Sequence, residues 1–133
     1  MLPDDAKRER ILIVDDESYI VTELGDYLER KGAQVFYADS GESALALFEN
    51  QRETPLTHMI VDLRMPPPDG FEVIGAIDPE KFPELKIIAV SGHASAEDEA
   101  RALSLGAASF LAKPYDLADL MKLIRPEPSA SPE

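Results

Sequence analysis

The sequence predicts a single α/β domain built on a parallel sheet, and three observations predict it. Short β-type apolar runs alternate with helix-like stretches along the chain, for five rounds. Three of those runs, ILIV, MIV and IIAV, are continuous rather than alternating in polarity, as strands covered by helices on both faces should be. The length of 133 residues suits one domain and is enough for a hydrophobic core without covalent staples.

The first strand is expected at Ile11 to Val14. After it Ile20, Val21, Leu24, Tyr27 and Leu28 recur at three- and four-residue intervals, the apolar stripe of a helix that stops at Gly32. Val35 to Tyr37 forms the second strand, and Ser40 is placed to cap a helix through Phe48. His58 to Val61 is the third strand, with His58 as a structural residue at its start. The helix that follows, Phe71 to Ile77, is short because Pro79 and Pro83 stop it. Lys86 to Val90 is the fourth strand. Ser95, with Asp98 three residues on, resembles a capping box opening a helix that carries Ala100 and Leu103 and ends at Gly106. Ala108 to Ala112 is the fifth strand, and Asp116 caps a last helix with Leu117, Leu120, Met121 and Ile124 on one face. The domain thus spans residues 10–124, between an N-terminal extension (1–9) and a tail or linker (125–133), RPEPSASPE, with no apolar face to bury.

Composition excludes several function classes. There are 13 basic and 26 acidic residues, a formal charge of −13. That excess repels a phosphate backbone, so no nucleic-acid partner is expected for this chain alone; a basic or phosphorylated partner, or a metal ion, is more natural. Without cysteine there is no disulfide, iron–sulfur cluster or thiolate zinc site, which suits a reducing compartment. No apolar run approaches the roughly 18 residues of a membrane span. The opening MLPDDAKRER has no apolar h-region, so no signal peptide and no membrane association are expected, and the cytoplasm is the expected location. Neither G-x-x-x-x-G-K-[ST] nor G-x-G-x-x-G occurs, which argues against a nucleotide-binding enzyme. Ser91 is not in a G-x-S-x-G elbow, because Ala89 stands where the first glycine should be.

In an open α/β sheet the ligand site lies beyond the carboxyl ends of the strands, where strand order reverses. The first strand ends in Asp15 and Asp16, the third in Asp62, the fourth in Ser91 and the fifth in Lys113. Each alone is an ordinary cap or solvated charge, but the set is harder to dismiss. Three converging carboxylates repel, and one takes up a proton unless a cation compensates. With Lys113 the group carries a formal −2, which a divalent cation brings to zero. Carboxylate oxygens at a loop mouth suit Mg²⁺, which works alongside phosphate. Mg²⁺ and an ammonium group stabilise a transferring phosphoryl group, an in-line carboxylate can accept it as an acyl phosphate, and a serine can hydrogen-bond its oxygens.

The segments IVDDE, IVDLRMP, AVSG and LAKPY, in that order and each at a strand end, resemble the receiver domain of two-component response regulators over Arg10 to Ile124. The resemblance implies the flavodoxin-like (βα)5 fold with strand order 2-1-3-4-5. It implies that Asp62 is the phosphoacceptor, attacking the phosphohistidine of a sensor histidine kinase or histidine phosphotransfer protein. Asp15, Asp16 and Asp62 would bind Mg²⁺, with Mn²⁺ as a substitute. The backbone carbonyl of Arg64 would complete the protein ligands, leaving the Arg64 side chain free. Lys113 would pair with the phosphoryl oxygens and Ser91 would reach for one of them after transfer. Phe110 falls where the family places its switch aromatic; its plainer reading is a half-buried strand residue. The Lys113–Pro114 bond is expected to be cis. Arg64 and His93 would stand at the pocket mouth, or be solvated loop residues. The face built from the fourth helix, fifth strand and fifth helix would change on phosphorylation. A downstream output domain or target protein, or a second copy in a homodimer, would be further partners.

The chain also departs from the family. MPPPDG after Asp62 replaces the more usual glycine and methionine after the first proline, and three prolines should stiffen the loop toward polyproline II. Two other readings fit parts of the pattern. A Mg²⁺-dependent aspartate-nucleophile phosphohydrolase shares the chemistry, but the first strand carries D-D-E instead of D-x-D, and the chain lacks room for a substrate-covering cap. A degenerate receiver acting by binding alone would not need Asp15, Asp16, Asp62, Ser91 and Lys113 together.

Overall fold

Strands apolar on both faces need helices on both sides, and the computed structural model of the protein provides them. It describes residues 8–50, 55–93 and 95–126; most of the expected N-terminal extension and of the proline- and serine-rich tail lies outside the described residues. The elements alternate as β1 (Arg10–Val14), α1 (Ser18–Arg30), β2 (Gln34–Ala38), α2 (Gly41–Asn50), β3 (His58–Asp62), α3 (Gly70–Ala76), β4 (Lys86–Ser91), α4 (Ala96–Leu105), β5 (Ser109–Ala112) and α5 (Leu117–Ile124). All neighbours pair in parallel, in the order β2-β1-β3-β4-β5. This is the flavodoxin-like arrangement, with β1 beside both β2 and β3.

Strand alternation divides the core into two layers. Leu12, Val14, Met59, Val61, Ile87 and Ala89 pack with Ala44 and Phe48 of α2, Phe71, Val73 and Ile74 of α3, and Ala102 of α4. Ile11, Ile13, Ile60, Ile88 and Val90 pack on the other side with Leu24 and Leu28 of α1 and Leu120 and Ile124 of α5. No described helix is long and apolar enough to cross a membrane.

Helix ends follow side-chain chemistry, with several departures from expectation. Ser40 Oγ accepts from the Ser43 amide at 3.1 Å, and the helix it opens runs past Phe48 to Asn50. Asp69 and Glu72 form a full capping box that starts α3 at Gly70. At α4 only half of the expected box forms: Ser95 Oγ accepts from the Asp98 amide at 3.0 Å, while the Asp98 carboxylate turns to Arg64. Asp116 is the N-cap of α5 by position but makes no side-chain cap hydrogen bond, contrary to expectation. The proline run is a series of bends with a cis Pro67–Pro68 bond, not a polyproline II segment.

One glycine sets the position of α3 against the sheet. A Cβ on Gly70 would press on the Asp62 carbonyl oxygen and lie 2.6 Å from Leu63 Cα, both backbone atoms that cannot swing aside. Gly70→Ala should therefore cost about 1–3 kcal/mol of stability, the usual penalty of overpacking, measured by urea denaturation. A loss under about 0.5 kcal/mol would mean that α3 can retreat freely from the end of β3.

Candidate functional site

The sheet order brings the polar strand ends together. Val14 is in register with Val61, so Asp15 and Asp62 follow on adjacent strands. The Asp15 amide donates to Ala38 O at 3.2 Å, which continues the ladder to the edge of the sheet. Asp15 and Asp62 are buried, 5% and 7% exposed, whereas Asp16 is open to solvent. One carboxylate oxygen from each lies within 4.8 Å of the others. The turns that follow the strands hold two of these side chains: Asp15 Oδ1 accepts from the Glu17 amide at 3.0 Å, and Asp62 Oδ1 from the Arg64 amide at 3.2 Å.

Lys113 follows β5 directly, and its bond to Pro114 is cis. Its Nζ lies 3.2 Å from Asp15 Oδ2 and 3.6 Å from Asp62 Oδ2. Burial acts most strongly on this ammonium and would lower its pKa, but the negative charges of Asp62 and Asp15 outweigh it and raise the value above that of an ordinary lysine. The group therefore stays charged at neutral pH. Asp62 shifts upward from the usual carboxylate range. Burial is the main cause and the charges of Asp15 and Asp16 add to it, against the lowering effect of the Arg64 amide and Lys113. One ammonium thus does not balance three carboxylates.

Ser91, fully buried at the end of β4, accepts through Oγ from the His93 amide at 3.0 Å, while its carbonyl accepts from the Lys113 amide at 2.9 Å. β4 and β5 are therefore tied where Ser91 and Lys113 project. His93 is exposed. Phe110 is half-buried, beside Ala89 in the ladder and packed against the core layer of α2 to α4. His58 lies buried at the start of β3 with Nδ1 2.8 Å from Thr57 Oγ1, far along the strand from the acidic cluster. The Arg64 side chain is not free: its guanidinium is paired with Asp98 and lies over the Phe71 ring.

The residues that sequence reasoning missed are partners of the expected ones. Asp98 was legible only as a helix-capping residue, because its pairing with Arg64 depends on how α4 packs. Tyr115, two residues after Lys113, lines with Ile20, Leu24, Tyr27 and Leu117 a groove of about 660 Å³ between α1 and the β5–α5 connection.

The family model for the response regulator receiver domain matches residues 11–125. The chain belongs to this family. A solved response regulator receiver protein from Pseudomonas putida is 35% identical, with a TM-score of 0.80 over 90% of this chain and 98% of that chain. A response regulator from Burkholderia pseudomallei, solved with a phosphorylated aspartic acid, a calcium ion and citrate, is 26% identical over 86% of this chain and 65% of its own, with a TM-score of 0.78. Among curated proteins, the photosynthetic apparatus regulatory protein RegA of Rhodobacter capsulatus is 28% identical over 92% of this chain. The receiver domain spans 64% of RegA and about half of several transcriptional regulators that it also resembles. Receiver domains are signalling domains of two-component systems, not conventional enzymes.

The raised pKa of Asp62 has a thermodynamic consequence. The folded state holds this proton more tightly than the unfolded chain does, so stability in the absence of divalent cations should fall as pH rises from the ordinary carboxylate pKa through the raised value. Asp62→Asn removes one of three repelling charges while Lys113 keeps Asp15 as a partner. At pH 7 with chelator present, the variant should exceed wild type by about 0.5–2 kcal/mol, the usual gain from relieving an unfavourable charge. Equal or lower stability, by thermal or urea unfolding, would contradict the electrostatic account.

Proposed function

We propose that this receiver domain accepts a phosphoryl group on Asp62 from the phosphohistidine of a sensor histidine kinase or phosphotransfer protein. The observation that carries the reading is a buried carboxylate flanked by two others, with a single lysine ammonium shared between Asp15 and Asp62. Oxygen donors alone, with residual negative charge, fit a hard divalent cation. Asp15, Asp16, Asp62 and the Arg64 carbonyl would hold Mg²⁺, or Mn²⁺ in its place. When bound, the ion would supply positive charge opposite the developing phosphoryl oxygens.

The remaining steps belong to the chain's own residues. A carboxylate oxygen of Asp62 attacks phosphorus as the phosphorus–nitrogen bond breaks, and the imidazole leaves with the bonding electrons; an acyl phosphate results. Lys113 pairs with the phosphoryl oxygens, because it already sits 3.6 Å from Asp62 Oδ2. Ser91 Oγ accepts from the His93 amide, and its hydroxyl proton is available for a phosphoryl oxygen once the β4–α4 connection moves inward. Phe110 is packed next to β4 and would follow that movement as the switch aromatic. His93 stands at the exposed pocket mouth. Water then hydrolyses the acyl phosphate, returning the Asp62 carboxylate and inorganic phosphate.

The groove bordered by α1, Lys113 and Tyr115 adjoins this site and suits docking of the phosphodonor. Leu103 on α4 and Leu117 on α5, 43% and 38% exposed, offer apolar contacts to an output domain, a target protein or a second copy. The reading places the domain in the cytoplasm, where its phosphodonor would be found.

Incubation with acetyl phosphate and Mg²⁺ should add one phosphoryl mass to wild type and none to Asp62→Asn, by intact-mass spectrometry. Uptake by the variant at the wild-type rate would overturn the assignment of Asp62. Lys113→Ala should retain Mg²⁺ affinity within about tenfold while uncoupling phosphorylation from changes on α4 and β5, followed by amide NMR shifts. Loss of metal affinity with the coupling intact would reverse the roles given to the lysine and the carboxylates.

A further inference from the structure

Arg64 connects the acidic site to α4 in a way that the phosphoacceptor chemistry does not require. Its amide donates to Asp62 Oδ1 at 3.2 Å, so its backbone is fixed at the reacting carboxylate. Its guanidinium, however, forms an ion pair with Asp98 in the first turn of α4. The same guanidinium lies 5.8 Å from the centre of the Phe71 ring, and Arg101, one turn further along α4, lies 4.1 Å from it. Asp98 is buried, and among the described residues Arg64 is its only ion-pair partner. A buried carboxylate is tolerated while paired and becomes unfavourable when its partner leaves.

We propose that Asp98 is a positioning residue that parks Arg64 on α4 in the resting domain, and that phosphorylation of Asp62 draws the guanidinium away to the phosphoryl oxygens. The inference rests on Asp62 being the phosphoacceptor. A guanidinium forks well onto phosphate, and a new dianion beside the Arg64 backbone competes directly with the single charge of Asp98. Departure of Arg64 leaves Asp98 buried without its counter-ion. The first turn of α4 then lowers its energy by moving Asp98 into water, which loosens the helix from Phe71. One arginine thereby makes the resting position of α4 and the phosphorylated state mutually exclusive, as a two-state switch requires.

Three variants separate this role from a merely structural one. Asp98→Asn releases Arg64, Arg64→Gln loosens α4 but removes the guanidinium, and Asp98→Glu preserves the pair. The measurements are the rate of phosphoryl uptake from acetyl phosphate with Mg²⁺, by intact mass, and amide exchange across Ala96–Leu105. In Asp98→Asn, uptake should be faster by about three- to tenfold because Arg64 is free in advance, while the exchange of α4 should stay close to that of unphosphorylated wild type before and after phosphorylation, because the neutral amide has no buried charge to expel. Arg64→Gln should show the loosened helix without the faster uptake, and Asp98→Glu should stay within about twofold of wild type in both. Wild-type uptake together with an unchanged rate in Asp98→Asn, or unchanged α4 exchange in Arg64→Gln, would overturn the inference while leaving the phosphoacceptor assignment intact. No uptake by wild type would overturn that assignment, and this inference with it.

Discussion

Charge imbalance at the carboxyl edge of the sheet is the constraint on which the rest of the structure depends. Asp15, Asp16 and Asp62 bring oxygens within 4.8 Å of one another, and Lys113 offers one positive charge to two of them. Water cannot screen such a group well when two of its three carboxylates are buried. The surroundings meet part of the demand: the Glu17 and Arg64 amides donate to Asp15 and Asp62. The negative charge that remains suits the site to a divalent cation and to the phosphoryl transfer proposed for it.

The fold concentrates that charge by topology. Only an order in which β1 adjoins β3 places Asp15 next to Asp62, and the β4–β5 pairing carries Ser91 and Lys113 to the same edge. The tight packing of Gly70 on the Asp62 and Leu63 backbone holds the start of α3 there, while the Arg64–Asp98 pair links the adjoining turn to α4. A change of charge at Asp62 would therefore be felt first by the turn after β3 and the connection after β4, which are hydrogen-bonded to the site. The two core layers beneath them are close-packed and resist deformation, so such a response would be confined to the helices and loops above.

Much of this was legible in the sequence, for identifiable reasons. Short β-type apolar runs located all five strands to within a residue or two, and the three central ones, buried on both faces, were continuous. The acidic cluster could be assembled because each member ends a strand, and parallel strands end on one edge. Helix starts were less legible: Asp69 was hidden behind three prolines, and Asp116 has a capping residue's identity without its hydrogen bond. The Arg64–Asp98 contact joins residues 34 positions apart through the packing of α4, and no local pattern encodes it. The same holds for the groove at α1, which exists only once Tyr115 and Leu24 are set side by side.

The most direct test of the central claim is a Mg²⁺ titration followed by NMR of side-chain carboxyl carbons at neutral pH. Asp15, Asp16 and Asp62 should shift together along one saturating curve while Asp39 and Asp98 remain unmoved. Scattered, non-saturating shifts over surface carboxylates, or no response at Asp62, would contradict the claim.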